Sequence, residues 1–94
     1  SIQAIQDTEV ARAVRFIRDN AYRPIQVDDV LRQVTISRRT LYDRFTQVLG
    51  RSISAEIRRQ RVEIVSKSLL TTHDTIAQIA YKYGFPGPDR TVDF

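Results

Sequence analysis

The strongest constraint on what this chain can fold into is a pattern that occurs twice, forty-nine positions apart. Val27-Asp28-Asp29-Val30-Leu31 through Thr35-Ile36 lines up with Ile76-Ala77-Gln78-Ile79-Ala80 through Gly84-Phe85. Each copy has a short apolar stretch of helical period, then a tight-turn position, then an apolar residue able to fill the space beneath the turn. The two copies lead into different sequence. The first runs into an arginine-rich stretch, whereas the second runs into Pro86-Gly87-Pro88 and the sequence ends at Phe94.

The flanking signals are helical throughout. Asp7 is placed to cap a first helix, with Glu9 in its first turn favouring the positive end of the dipole. Val10, Ala13, Val14 and Ile17 share one face of it, and Arg23-Pro24 stops it, since the residue before proline is pushed out of the helical region. A second helix is expected from about Val27 to Val34, burying Val27, Val30, Leu31 and Val34, although Gln26 is a poor residue for its cap. Thr35-Ile36 makes the turn. Ser37 caps a third helix with Leu41, Phe45 and Val48 as its apolar face, and Gly50 suits a left-handed stop. Ser52 caps a long fourth helix reaching about Leu70, roughly 27 Å at about 1.5 Å per residue. Thr75 caps a fifth, Ile76 to Tyr83, which Gly84 ends.

No segment alternates with the period of a strand for long enough to pair. The expected fold is all-α: two helix-turn-helix subdomains joined by a long helix, the second one incomplete. The first unit spans about 26–49, the linker helix about 53–70 and the second unit about 75–94, all within one domain over 1–94.

Charge narrows the function. The formal net charge is +4 and the isoelectric point is near 10.0, which favours a polyanionic partner. Ser37 to Arg61 holds seven arginines against Asp43 and Glu56, an excess of five positive charges in one segment. Only Lys67 and Lys82 are lysine, so planar bidentate donors dominate. There is no cysteine and one histidine, His73, which excludes disulfides and cysteine-based zinc sites. His73 reads as an ordinary loop residue. Asp28-Asp29 are adjacent carboxylates at a helix start and serve its dipole. With no glycine-rich phosphate loop and no ligand cluster, no enzymatic activity, cofactor or metal is expected. No apolar run approaches the roughly 20 residues needed to span a membrane. Methionine is absent, even at position 1, so the sequence is expected to be a piece of a longer protein.

The third helix carries the sharpest signal. A helix laid in the major groove packs its inner face on the preceding helix and turns its outer face to base edges. Leu41 and Phe45 are the inner positions, and Arg38, Arg39, Tyr42 and Asp43 point outward. Arginine can pair with guanine, tyrosine can touch phosphate or a thymine methyl, and aspartate can accept from cytosine. The plain alternative is a solvated face in which Arg39 and Asp43 form an i,i+4 ion pair.

Taken in order, Ser37, Leu41, Phe45 and Gly50, then Ile57, Arg61, Val62 and Leu69-Leu70, then Thr75-Ile76, Ile79-Ala80 and Gly84-Phe85 resemble the AraC family of bacterial transcription regulators. The spacings agree across Pro24 to Phe85. Ser37-Arg38-Arg39 with Arg44-Phe45, and Ile53 where proline is usual, look most like the xylose-operon regulators within that family.

The resemblance implies two recognition helices entering successive major grooves of double-stranded DNA. It assigns Arg39, Tyr42 and Asp43 to base contacts, Ser37 and Arg38 to positions near the backbone, and Arg44 to its edge. Arg51, beside the Ser52 helix start, is open equally to phosphate binding and to ordinary capping chemistry. Arg90, after Asp89, stands where the second reader would begin. The Pro-Gly-Pro break argues that this reader is not completed, and that DNA is held mainly through the first unit. The resemblance further implies a dimeric full-length regulator in the bacterial cytoplasm at the nucleoid, with RNA polymerase as a protein partner. An effector such as a sugar would be bound only by a separate domain outside this chain.

Some arginines have other work. Arg61 projects between Ile57 and Val65, inside the apolar arc of the fourth helix, and reads as a structural arginine that must be partnered. Arg58 and Arg59 are surface candidates only. Tyr81 and Tyr83 read as core and rim residues. Two rival functions stand: a basic helical protein-interaction module without specific DNA readout, and an RNA binder, disfavoured because few aromatics are free to stack.

Overall fold

A computed structural model describes residues 5–85 of the chain. Within them are five helices and no strand: α1 (Thr8–Asn20), α2 (Val27–Leu31), α3 (Arg38–Leu49), α4 (Ile53–Thr71) and α5 (Ile76–Tyr83). Arg90 and everything expected of a second reader lie outside the described residues.

The starts of four helices follow the capping chemistry of the sequence. Asp7 Oδ1 accepts from the backbone N–H of Glu9 (3.0 Å) and Val10 (3.2 Å). Ser37 Oγ accepts from Thr40 N–H at 3.2 Å, and Ser52 Oγ accepts from Ala55 N–H at 3.1 Å. Thr75 Oγ1 accepts from Gln78 N–H at 3.1 Å while Gln78 Oε1 accepts from Thr75 N–H at 2.8 Å, a reciprocal capping box. Each such cap satisfies donors that the first helical turn leaves without intrahelical partners, and is worth about 1 kcal/mol.

Gln26, weak as a cap by its own side chain, is rescued from three residues on. Asp29 Oδ2 accepts the Gln26 backbone N–H at 2.8 Å, the counterpart of the Gln78 contact one repeat later. Both copies of the repeat thus contain the same hydrogen bond, made by a carboxylate in one and an amide in the other.

The two copies end differently. α5 closes with Gly84 in the left-handed region (φ 74°), Gly84 N–H directed to the Tyr81 carbonyl at 3.1 Å and Phe85 N–H to that of Ala80 at 2.8 Å. This is a Schellman closure, and it swings Phe85 back under the helix. α2 has no left-handed residue. It stops at Leu31, three residues short of the Val34 expected, and the chain passes through Arg32 in helical geometry with Gln33 N–H to Val30 O at 3.0 Å. Val34 and Ile36 still pack partly buried against the core, so their apolar spacing is a property of the turn as much as of a helix.

Two apolar cores result among the described residues. The larger joins Val10, Ala13, Val14 and Ile17 of α1 to Ile25, Val30, Leu41, Phe45, Ile53 and Ile57. The smaller joins Val65 to Ile79, Ala80 and Phe85. α4, about 28 Å long at about 1.5 Å per residue, contributes its first half to one and its second half to the other. Tyr83 packs against the smaller core and stacks on Phe85 with ring centroids 5.5 Å apart. Tyr81 departs from the expected core or rim position: it is 89% exposed, because Ile79 and Ala80 take the inner face of a helix of only eight residues.

Candidate nucleic-acid interface

α3 is fixed from beneath by Leu41 and Phe45, both fully buried. Burying a side chain of that size contributes about 1.5–3 kcal/mol. The inner row continues i,i+4 to Leu49, which packs against the same core. Val48, expected on this face, is 45% exposed because it lies off that row. Gly50, at φ 73° with its N–H on the Thr46 carbonyl at 2.7 Å, ends the helix and frees the chain to turn into α4.

The turn preceding α3 is held from α1. The Glu9 carboxylate accepts from Thr35 N–H (3.2 and 3.4 Å) and from Thr35 Oγ1 (3.2 Å to either oxygen), and it also pairs with Arg12 at 3.4 Å. Glu9 therefore does more than complement the α1 dipole: it ties the first turn of α1 to a residue 26 positions away. Nothing in sequence spacing signals such a contact.

Outward from this base, Ser37, Arg38, Arg39, Tyr42, Asp43 and Arg44 are all exposed. At about 100° per residue they fall into three zones. Arg39 and Asp43 occupy the centre of the outer face. Neither makes an ion pair or hydrogen bond among the described residues, so the i,i+4 pair of the plain alternative is not formed. Arg38 and Tyr42 form the edge nearest α2. Arg38 Nη2 donates to Asp28 Oδ1 at 2.6 Å and its Nη1 donates to the Tyr42 hydroxyl at 3.1 Å, with the guanidinium carbon 5.9 Å from the Tyr42 ring centre. The hydrogen bond to Asp28, and after it that to Tyr42, raises the Arg38 pKa above its ordinary value. Arg44 forms the opposite edge and lies 3.8 Å from Asp7 at the start of α1. The Ser37 hydroxyl is occupied in capping and donates to Thr40 Oγ1 at 2.8 Å.

Arg51 belongs to a separate cluster at the start of α4. Glu56 is buried and accepts from Arg51 Nη1 (2.7 Å), Arg59 Nε (3.0 Å) and Nη2 (3.2 Å), and Gln60 Nε2 (3.0 Å). Burial pushes its carboxyl pKa up, but the hydrogen bonds from Arg59, Gln60 and Arg51 outweigh that and hold it below the ordinary value. Arg51 thus partners a buried carboxylate, and Ser52 caps α4 by itself. Glu56 is the buried centre of this cluster, which net charge alone does not single out. The signal in the sequence is its i,i+3 and i,i+4 spacing to Arg59 and Gln60 on the inner side of α4.

Arg61 is structural, as its place in the apolar arc requires. Its Nη2 donates to the Ile25 carbonyl at 2.6 Å, its guanidinium carbon lies 5.1 Å from the Phe85 ring centre, and burial pulls its pKa down. Arg59 serves Glu56, and Arg58 is half-buried. His73 is exposed in the α4–α5 loop, and no group of residues that could hold a metal occurs among the described residues. No helix there is long and apolar enough to cross a membrane.

A family model described as "Helix-turn-helix domain" matches residues 30–94, a span that includes α3 and continues through Pro86-Gly87-Pro88. The chain is 34% identical over 84 residues to the xylose operon regulatory protein of Escherichia coli K12, covering 89% of this chain and 21% of that protein. It is 32% identical over 84 residues to the lactose operon transcription activator of Staphylococcus xylosus, covering 89% of this chain and 30% of that one. The chain therefore spans less than a third of the length of either relative. No solved structure matches it significantly. With a buried Leu41–Phe45 base, a capped α3 and an arginine-bearing outer face in the matched span, the chain belongs to the AraC-type helix-turn-helix family of DNA-binding transcription regulators.

Proposed function

We propose that this domain is the DNA-reading part of a bacterial transcription regulator, and that α3 reads base edges in the major groove. The observation that carries this reading is the unengaged Arg39 at the centre of an exposed α3 face, on a helix whose opposite side is fully buried. A planar fork with no partner among the described residues is available for the bidentate contact that distinguishes guanine. Tyr42 and Asp43 flank it as further base contacts. Ser37 and Arg44 lie toward the two edges, where phosphates pass; Arg38 stands at the α2 edge in the hold of Asp28, and the cluster of Arg51, Arg59 and Glu56 keeps one net positive charge beside the start of α4. Arginines along these edges release counterions from the duplex, which makes affinity strongly salt-dependent. Arg90 would serve the second groove.

The names of the two relatives, regulators of a xylose and a lactose operon, support a sugar-responsive regulator as the parent of this domain. The effector would bind elsewhere in that protein, which would act as a dimer at the nucleoid and engage RNA polymerase. The units over about 26–49, 53–70 and 75–94 are its first helix-turn-helix, its linker helix and a second, incomplete helix-turn-helix.

Binding to a randomised duplex library across a salt titration tests the reading. A preferred sequence that survives moderate salt is expected. Uniform binding of all duplexes would overturn it and favour a basic surface that recognises charge alone.

A further inference from the structure

The Asp28–Arg38–Tyr42 chain has a property that the general DNA-reading role does not use. Its acid sits on α2, its arginine and tyrosine on α3, and the ion pair at its head is open to water, with the Arg38 side chain 58% and the Asp28 side chain 61% exposed. An ion pair so exposed adds little to stability, so folding does not require it. Its geometry has two effects on a nearby polyanion. Arg38, at 2.6 Å from a carboxylate, must give up or share that contact to bind a phosphate. The Tyr42 hydroxyl oxygen accepts from Arg38 at 3.1 Å, which leaves its own proton to be donated outward. A phenol held this way is a donor aimed away from Arg38, suited to a base-edge acceptor such as a purine N7, a guanine O6 or a thymine O4.

We propose that Asp28 is a specificity-determining positioning residue, which withholds Arg38 from phosphates of the wrong sequence and holds it against Tyr42 so that the tyrosine acts as a hydrogen-bond donor to the right one. The proposal rests on α3 being the reading helix. Without the acid, Arg38 gains a phosphate contact on any duplex, while Tyr42 loses the contact that orients its hydroxyl. Non-specific affinity rises and specific affinity does not keep pace.

The test compares the chain with its Asp28→Asn variant on the best duplex from the library and on a scrambled duplex, over a range of salt. Asp28→Asn is expected to tighten scrambled-duplex binding about threefold to tenfold near 0.1 M salt, as one added phosphate contact would, and to steepen the salt slope by about one. The ratio of preferred to scrambled affinity should fall by about threefold or more by the same reckoning. In an Arg38→Gln background the effect of Asp28→Asn should vanish, and Asp28→Glu should retain most of the wild-type ratio. An unchanged ratio, or an equal gain in the Arg38→Gln background, overturns the proposal, since mere removal of an acid would then explain everything. If the wild-type chain prefers no sequence, the reading of α3 falls and this inference with it. If wild type discriminates and Asp28→Asn discriminates equally, only the inference falls.

Discussion

The guanidinium of Arg61 lies 5.1 Å from the centre of the Phe85 ring while its Nη2 donates to the Ile25 carbonyl 2.6 Å away. One side chain midway along α4 thus touches a residue of each core. Among the described residues its Nε is buried without a hydrogen-bond partner, and the contacts that hold the side chain are one strong bond and one ring face.

Arg61→Ala is expected to destabilise the domain by about 1.5–3 kcal/mol, the range for losing a hydrogen bond to a charged group. At about 4–8 °C per kcal/mol for a domain of this size, thermal unfolding will show it readily. Affinity for DNA, measured well below the melting temperature, should be unchanged. Weaker binding without a lower melting temperature would place Arg61 in the interface instead.

Arg39→Ala is expected to relax sequence preference at one guanine position, with a cost of about 1–3 kcal/mol on the preferred duplex. The same loss on every duplex would show that Arg39 touches phosphate.

Glu56 makes stability depend on acid. Its carboxyl is held below its ordinary value of 4.5 in the folded chain, so its contribution is fully present above about that pH and is lost as pH falls through the lower, folded value. The melting temperature should decline in that acidic window, and Glu56→Gln should flatten this part of the profile. A variant whose profile matches that of wild type below pH 4.5 would show that the contacts with Arg51, Arg59 and Gln60 contribute nothing in solution.

Glu9→Ala removes both contacts to Thr35 and is expected to cost about 1 kcal/mol. The more telling readout is local. Amide exchange at Thr35 should accelerate beyond what the global loss explains, because the turn loses its tie to α1.

Much of this fold is legible in the sequence because its signals are local. Asp7, Ser37, Ser52 and Thr75 cap where their chemistry places them, and Gly50 and Gly84 adopt the left-handed stops expected of them. The errors fall where long-range geometry decides. α2 ends at Leu31 because the apolar spacing of Val34 and Ile36 is equally satisfied by a turn lying on the core. Val48 is internal on a helical wheel, but the neighbouring helices contact the Leu41–Phe45–Leu49 row. On the outer face, helical period correctly singles out Arg38, Arg39, Tyr42 and Asp43 as exposed residues. It does not reveal that Arg38 is already engaged by Asp28 while Arg39 is not, since ten residues and a turn separate that pair. The contacts of Glu9 with Thr35 and of Arg51 with Glu56 are hidden for the same reason: side chains meet across elements whose relative placement spacing cannot supply.

The division of α4 between two unequal cores has a consequence in time as well as in space. Among the described residues, the half that carries Ile53, Glu56 and Ile57 is held by α1 and α3, whereas the half beyond Val65 is held by α5 and Phe85. Opening of the smaller core can therefore proceed while the larger one stays shut. Along a single unbroken helix, backbone amides should exchange slowly at the reader's end and quickly toward Thr71. The reading face would then keep its shape through fluctuations that repeatedly loosen the other end of the molecule.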